Sequence, residues 1–206
     1  KKLNARGLKA ILNEVGEDVN TEAEASQAAK VFQDLLRRID AEGLDSTISL
    51  KPSHLGMAFG RDFCYENIAD IVQTAQNLDI TVEIDMEHSA DVEATLYIYH
   101  RLLDTFGTGI RLALQTYLHR TPADLQRLLD QGGHVRLIKG AYDEPAEIAY
   151  QDKKEIRQVS KVLLAKFFTA QARKKRAYLA LGSHDPALIE WLIQATEAHS
   201  TSRNRF

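Results

Sequence analysis

The chain has 206 residues, of which 44% are hydrophobic and 27% are charged, a composition typical of a globular domain with one substantial core. Its 26 basic and 29 acidic side chains nearly cancel, which excludes a basic surface for nucleic acid and an acidic tail. The single cysteine, Cys64, excludes an internal disulfide and a multi-cysteine zinc site. No apolar run approaches the roughly 20 residues that span a bilayer.

Six short aliphatic segments alternate with longer segments of helical periodicity, which predicts repeated strand–helix units. Thr21 and Glu24 predict a capping box at the start of the first long helix, and Gly43 predicts its end. Ser89 is predicted to cap the third helix, and Pro186 to open the last one. The predicted strands lie at 7–12, 47–50, 81–84, 110–114, 134–138 and 177–181, and a basic amphipathic helix is predicted at 159–175.

Each predicted strand leads into polar or ionisable side chains. One such residue from each strand is Glu17, Lys51, Asp85, Gln115, Lys139 and His184. Strand–helix repeats imply parallel strands joined by right-handed crossovers, either in an open doubly wound sheet or in a closed barrel. No GxGxxG fingerprint of a dinucleotide-binding open sheet occurs, and chemistry at the ends of many strands is typical of a barrel. We therefore predict an α/β fold, a (βα)8 TIM barrel, that forms one domain over residues 1–206.

Complete barrels of this kind typically have eight units in about 250 residues, whereas six units are predicted here. We therefore expect a barrel truncated to about six βα units, with the last two strands and the final helix absent. The residues at 203–206 are where a further strand is expected to begin.

In the segment HVRLIKGAY (134–142), a predicted apolar strand ends abruptly in a charged residue followed by a flexible one. Arg136 and Lys139 suit a buried strand only if an anionic group lies at its end, and Gly140 lets a ligand approach the backbone closely. Lys51 and Asp85 are predicted to lie at the same barrel mouth as Arg136 and Lys139. The three cations and the one carboxylate form either an internal ion-pair network or a binding site for a carboxylate or phosphate. The residues alone leave both interpretations open.

Other chemistries have weaker support from the residues. Four histidines follow strands, but no HxH or HExxH pair occurs, which disfavours metal catalysis. No GxSxG motif occurs, and Cys64 lies in a helical segment without a partner base, which disfavours nucleophilic hydrolysis. Lys139 at a strand end is a candidate Schiff-base nucleophile, so a class I aldolase is the alternative function.

Six segments, in chain order and at matching spacing, resemble those of one known family. They are NEVGE (13–17), ISLKPSHLGM (48–57), EIDMEHS (83–89), LALQTYLHRTPADL (112–125), VRLIKGAYDEP (135–145) and GSHDPALI (182–189). The family they resemble is proline dehydrogenase, the flavoenzyme that oxidises L-proline to pyrroline-5-carboxylate. The resemblance implies the barrel, with FAD lying across the carboxyl face of its strands.

The resemblance also implies roles for individual residues. Lys51, Asp85 and Tyr142 fall where the family binds proline and carries out catalysis. Glu17 matches an acidic residue that in the family pairs with a substrate-site arginine and gates the site. The positions that match FAD contacts are Gln115, Arg136, Lys139, Gly140, Ala141, Ser183 and His184. Ser183 stands where threonine is usual, and it keeps the hydroxyl. A cation beside the flavin pyrimidine ring stabilises the anionic reduced flavin.

A quinone is the electron acceptor that the resemblance implies. The protein is accordingly expected to be cytoplasmic, in peripheral contact with the inner face of a respiratory membrane, although the sequence shows no amphipathic anchor. In the family a pair of arginines grips the proline carboxylate, and their positions would lie beyond Phe206. We therefore expect the 206 residues alone to have little or no proline dehydrogenase activity, even when they are supplied with FAD.

Overall fold

The computed structural model describes residues 1–201 as alternating strands and helices. Contacts divide the chain into two compact units, Lys1–Arg111 and Leu112–Phe206. The assignment of one domain to residues 1–206 stays a prediction, and the strand expected to begin at 203–206 lies outside the described residues. Over the described part of the chain, no helix has both the length and the apolar character that crossing a membrane requires.

The first unit contains three complete parallel strands that lie side by side in chain order. They are β1 (Ala10–Leu12), β2 (Ser46–Leu50) and β3 (Val82–Ile84). The helices that follow them are α1 (Glu22–Ala41), α2 (Arg61–Asn77) and α3 (Val92–Phe106). A fourth strand, β4 (Ile110–Gln115), begins beside β3, where the Val82 amide donates to the Gly109 carbonyl at 3.0 Å.

The apolar faces of these helices build the core of the first unit. At the start of α1 the Thr21 hydroxyl accepts a hydrogen bond from the Glu24 amide at 3.2 Å, and the Glu24 carboxylate accepts one from the Thr21 amide. Beyond this cap, Phe32, Leu36 and Ile39 are buried on one stripe of α1, the spacing of a helix that covers a core. Helices α1 and α2 contact each other, as do α2 and α3.

The second unit contains the last four residues of β4 and two further strands in chain order. These are β5 (His134–Ile138) and β6 (Tyr178–Gly182), which are parallel. The Thr116 amide, just after β4, donates to the Ile138 carbonyl at 2.8 Å and so joins β4 to β5. The helices of this unit are α4 (Thr121–Gln131), α5 (Lys153–Ala165), α6 (Ala170–Lys174) and α7 (Pro186–Ala198).

The predicted alternation of six strands with helices is confirmed, and the strands paired within each unit follow chain order. Neither unit shows the reversal of strand order that marks a doubly wound sheet. The capping box of Thr21 and Glu24 is also confirmed. Gly43, with φ of 58°, follows the end of α1, and Pro186 is the first residue of α7.

Two predicted boundaries in the first unit are wrong. Ser89 does not cap α3, because it begins a short 3-10 turn and α3 starts at Val92 without a side-chain cap. The first strand is shorter than the predicted 7–12. Gly7 ends a 3-10 turn with a left-handed φ of 73°, and β1 begins only at Ala10.

The single basic helix predicted at 159–175 is also wrong. Helix α5 begins earlier, where the Asp152 carboxylate accepts hydrogen bonds from the amides of Lys154 and Glu155 at 2.9 Å each. It ends in a 3-10 turn, after which the Thr169 hydroxyl accepts from the Ala172 amide and starts α6. A cap inside the basic segment thus divides it into two helices.

Candidate functional site

A cavity of about 580 Å³ opens at the carboxyl ends of β5 and β6 in the second unit. Its volume lies in the range of small-molecule sites, roughly 300 to 1,000 Å³. The residues that line it follow the two strands or lie on α5: Ile138, Lys139, Gly140, Ala141, Arg157, Gly182, Ser183, His184, Asp185 and Pro186.

Two cations share one carboxylate in this cavity. Lys139 Nζ and Arg157 Nε both donate to Asp185 Oδ2, at 2.6 and 2.7 Å, and the Ala187 amide donates to Asp185 Oδ1 at 3.1 Å. The Asp185 side chain is only 6% exposed. The hydrogen bond from Lys139, followed by that from Arg157, holds the pKa of Asp185 well below its usual range. These three side chains together carry one net positive charge, which favours an anionic ligand.

Gly140 lies where backbone geometry and packing both require glycine. Its φ is 125°, which side chains with a Cβ rarely adopt. A Cβ at this position would overlap the Tyr117 ring, with only 2.7 Å to Cγ. In the described structure, the neighbour that approaches the Gly140 backbone closely is therefore the Tyr117 ring.

Gln115 and Tyr117 hold the segment that follows β5. The buried Gln115 side chain accepts a hydrogen bond from the Ala141 amide at 3.4 Å through Oε1. The Tyr117 hydroxyl donates to the Tyr142 carbonyl at 3.1 Å. Burial, and then the nearby Glu144 carboxylate, raise the pKa of Tyr117. Tyr142 is thus positioned by its backbone, directly after the residues that line the cavity.

Arg136, Ser183 and His184 differ in their surroundings. Arg136 is half-buried in β5, and its aliphatic stem lies 3.6 Å from where a Gly182 Cβ would stand. The Ser183 hydroxyl accepts a hydrogen bond from the Asp185 amide at 3.1 Å, which supports the loop after β6. His184 is exposed at the cavity.

In the first unit, Lys51 and Glu17 form an ion pair between Nζ and Oε1. The family resemblance leads to the expectation that Glu17 pairs with an arginine, whereas here its partner is Lys51. The Lys51 side chain is 27% exposed and that of Glu17 is 56% exposed, so solvent screens the pair in part. Glu17 therefore contacts the Lys51 ammonium at a position that a ligand carboxylate would also need.

Asp85 and Glu87 follow β3. The Asp85 amide donates to the Leu50 carbonyl at 2.9 Å, which fixes Asp85 at the end of β3 beside β2. Glu87 is buried and accepts hydrogen bonds from the Ser53 amide at 2.8 Å and from the Ser53 hydroxyl at 2.6 Å. Burial raises the pKa of Glu87, and the Ser53 hydrogen bonds oppose the rise. Glu87 thus holds the turn that follows Lys51.

The structure brings some of the predicted residues together within each unit. Glu17 meets Lys51 in the first unit. In the second unit the cavity is lined by Lys139, Gly140, Ala141, Ser183 and His184, whereas Gln115, Arg136 and Tyr142 are not among its lining residues. The convergence of residues from both units on a single mouth stays a prediction. Within residues 1–201, no group of three or more His, Cys, Asp or Glu side chains is placed to hold a metal ion.

Arg157 and Asp185 are the charged cavity residues that were not predicted from the sequence. Arg157 lies two residues before the basic helix predicted at 159–175, and Asp185 reads as part of the start of α7. The contacts of Arg157 and Lys139 with Asp185 have no local sequence signal, because they join positions 28 and 46 residues apart. Lys139 Nζ donates to the Asp185 carboxylate at 2.6 Å, whereas a Schiff-base aldolase needs this nitrogen to attack a carbonyl. The aldolase alternative has no support.

Comparison with known proteins gives consistent matches over the whole chain. The chain is 30% identical over 206 residues to proline dehydrogenase 2 of Bacillus subtilis (strain 168), covering 100% of this chain and 66% of that protein. It is 28% identical over 208 residues to proline dehydrogenase of Deinococcus radiodurans, covering 99% of this chain and 66% of that protein. The chain thus spans 66% of the length of these curated relatives.

A solved structure shares the fold. The crystal structure of proline utilization A (PutA) from Bdellovibrio bacteriovorus, inactivated by N-propargylglycine, matches 97% of this chain and 25% of its own, with a TM-score of 0.85 and 16% identity. This match confirms the fold class predicted from the sequence, an α/β barrel fold represented by six βα units. A family model described as "Proline dehydrogenase" matches residues 1–206. The chain therefore belongs to the proline dehydrogenase family.

Proposed function

We propose that the protein oxidises L-proline to pyrroline-5-carboxylate with FAD as its cofactor. Membership of the proline dehydrogenase family supports the reaction. The observation that carries the proposal is the cavity after β5 and β6, where Lys139 and Arg157 share the single carboxylate of Asp185. This surplus of positive charge suits a ligand that bears phosphates and becomes anionic when it is reduced.

The residues of the second unit fit a flavin dinucleotide. The cavity has the volume of a small-molecule site, and backbone groups around Gly140 and Ser183 line it alongside the cations. We propose that FAD is held by Gln115, Arg136, Lys139, Gly140, Ala141, Ser183 and His184. When bound, FAD supplies the two-electron acceptor that oxidation of an amine carbon requires. The protein's part is to orient the cofactor and to place positive charge beside it.

The substrate side of the proposal lies in the first unit and at Tyr142. We propose that Lys51 receives the proline carboxylate and that Asp85 accepts a hydrogen bond from the proline nitrogen. In the second unit we propose Tyr142 as a substrate residue, on the family resemblance. Because Glu17 already neutralises Lys51, the incoming carboxylate competes with Glu17. This competition supports the proposed role of Glu17 as a gate.

We further propose a membrane quinone as the electron acceptor. The protein would then be cytoplasmic and in peripheral contact with the inner face of a respiratory membrane. The support is the family resemblance alone. Fractionation of cells tests the location, and proline-dependent reduction of a soluble quinone analogue by the purified protein tests the acceptor. A protein that reduces no quinone analogue would contradict this part of the proposal.

Alanine variants of the full-length protein test the division between cofactor and substrate residues. We expect Arg136→Ala and Lys139→Ala to weaken FAD binding about tenfold or more, because each removes a charge-assisted contact. Lys51→Ala and Asp85→Ala should retain FAD and lose proline turnover. Quenching of flavin fluorescence measures the first effect, and steady-state assays with proline measure the second.

Lys30→Ala is the matched control, because Lys30 is an exposed lysine on α1. It should change neither FAD affinity nor turnover. An equal loss of bound flavin in all four site variants would contradict the proposed division. A wild-type protein that binds no FAD would contradict the proposed cofactor.

A further inference from the structure

A second contact ties the segment that carries Glu17 to the turn that carries Lys51. The backbone of Gly16 lies directly against the His54 imidazole, so that a Cβ at position 16 would overlap the ring, with 2.8 Å to Nδ1. The φ of Gly16 is not in the left-handed region. Glycine is therefore required at this position by the ring and not by the backbone angle.

The contact between Gly16 and His54 joins the same two segments as the ion pair between Glu17 and Lys51. Gly16 directly precedes Glu17, and His54 lies in the turn that follows Lys51, where its amide donates to the Lys51 carbonyl at 3.1 Å. The same two short segments are thus joined twice, by Gly16 on the His54 ring and by Glu17 on the Lys51 ammonium. A shift of one contact must disturb the other, because Gly16 and Glu17 are adjacent and His54 lies only three residues after Lys51.

The two sides of this contact differ in how firmly they are held. On one side, the His54 ring meets buried Phe32 edge-on, with ring centroids 6.1 Å apart. On the other side, residues 13–19 have no regular secondary structure, and Val15 is fully exposed. The His54 ring is therefore the fixed surface, and the Gly16 segment is the part that rests on it.

The contribution of His54 is one of shape. Its Nδ1 atom is buried and has no hydrogen-bond partner within the described part of the chain. Burial lowers the pKa of His54, with Glu14 opposing and Lys51 reinforcing the change, so the ring is neutral near neutral pH. The ring therefore acts on Gly16 by the space it fills and not by a hydrogen bond through Nδ1.

We propose that His54 is a positioning residue whose ring supports Gly16 and thereby holds Glu17 against Lys51. The inference rests on the proposed function in one respect, namely that Lys51 receives the substrate carboxylate. Because Glu17 is paired with the Lys51 ammonium, the substrate carboxylate must displace the Glu17 carboxylate in order to bind Lys51. His54 thus sets the apparent affinity for the substrate without contacting it.

The reactivity of Lys51 tests the positioning directly and does not depend on catalysis. An amine-acylating reagent must reach Lys51 Nζ, which the contact with the Glu17 carboxylate covers, and peptide mass spectrometry reports the rate at each lysine. In the full-length protein we expect Gly16→Ala and His54→Ala to speed acylation of Lys51 about two- to fivefold, the loss expected for a partly exposed ion pair. Glu17→Gln gives the reference rate for a broken pair.

Two variants separate positioning from general damage. Val15→Ala changes the neighbouring, fully exposed residue and should leave Lys51 as slow as in the wild type. His54→Phe keeps a flat ring and should restore slow acylation. Acylation of the exposed Lys30 calibrates each reaction. If Gly16→Ala and His54→Ala leave Lys51 as protected as in the wild type while Glu17→Gln exposes it, the proposal is overturned.

The kinetic readout distinguishes the inference from the function on which it rests. With proline as substrate, Gly16→Ala and His54→Ala should lower KM about two- to fivefold and change kcat less, whereas His54→Phe should resemble the wild type. Faster acylation without any change in KM supports the positioning and contradicts the substrate role of Lys51. A lower KM without faster acylation overturns the positioning.

Discussion

Gly140 is the residue at which backbone angle and packing constrain the candidate site together. Its φ of 125° alone disfavours a side chain, and the Tyr117 ring occupies the space that a Cβ would need. Gly60 has a similar φ of 116° but no atom within 4 Å of its Cβ position. The two glycines therefore separate the cost of the backbone angle from the cost of the clash.

We expect Gly140→Ala to lower the free energy of unfolding by about 1 to 3 kcal/mol more than Gly60→Ala does, because only the first forces the Tyr117 ring to move. Urea denaturation measures both values. Tyr117→Leu should recover part of the loss in the double variant, since it removes the ring. Equal costs at the two glycines would show that the ring adjusts freely.

Glu87 is the buried carboxylate from which a pH dependence of stability follows. Burial raises its pKa in the folded state, so the folded protein binds this proton more readily than the unfolded chain does. The stabilisation is present below the ordinary carboxyl pKa and is lost as the pH rises through the folded-state value.

Glu87→Gln should therefore gain stability relative to the wild type as the pH rises from about 4 to about 7. Denaturant unfolding across that range measures the difference between the two proteins. Glu66→Gln, which changes an exposed carboxylate on α2, should show no such trend. A difference between Glu87→Gln and the wild type that stays constant with pH would contradict the burial argument.

At the residue scale, sequence reasoning identified side chains better than it identified their partners. Glu17, Lys51 and Lys139 stand out by residue type and by family resemblance. Their observed partners are not local: Lys51 lies 34 residues from Glu17, and Asp185 lies 46 residues from Lys139. Pairing over such distances follows from the fold and leaves no periodic signal in the chain.

Among the elements, α1 shows how a local signal suffices to fix a helix start. The Thr21 hydroxyl and the Glu24 carboxylate satisfy each other's backbone amides, so both the cap and its position follow from four consecutive residues. We expect Thr21→Ala to lower the free energy of unfolding by about 1 kcal/mol and Thr21→Ser to cost less, because serine keeps the hydroxyl. Urea denaturation checks both, and equal losses would contradict the capping role.

The basic segment after β5 shows where a helical pattern misleads. Its charge pattern suggests one helix at 159–175, but Asp152 starts α5 and Thr169 starts α6. Both capping residues are visible in the sequence, because aspartate and threonine are preferred at helix starts. The Asp152 side chain accepts from the Glu155 amide and the Thr169 side chain from the Ala172 amide, each three residues on. Periodicity continues across the break, so only the capping residues reveal it. The earlier start matters, because it brings Arg157 into α5.

On the scale of the whole chain, repeated strand–helix units were the most predictable feature. All six strands of the described residues lie where aliphatic runs predicted them, with ends shifted by at most three residues. Strand order within each compact unit followed from the tendency of consecutive strands to lie next to each other in a sheet. How the residues of the first unit meet those of the second could not be read from spacing, because it depends on side chains that are distant in sequence.

The central claim is that this member of the proline dehydrogenase family carries FAD that L-proline reduces. The most direct measurement is the visible absorbance of oxidised flavin in the FAD-loaded, full-length protein after anaerobic addition of L-proline. We expect the absorbance to disappear with formation of pyrroline-5-carboxylate, and D-proline to leave it unchanged. A protein that binds FAD and keeps its oxidised spectrum in the presence of excess L-proline would contradict the account.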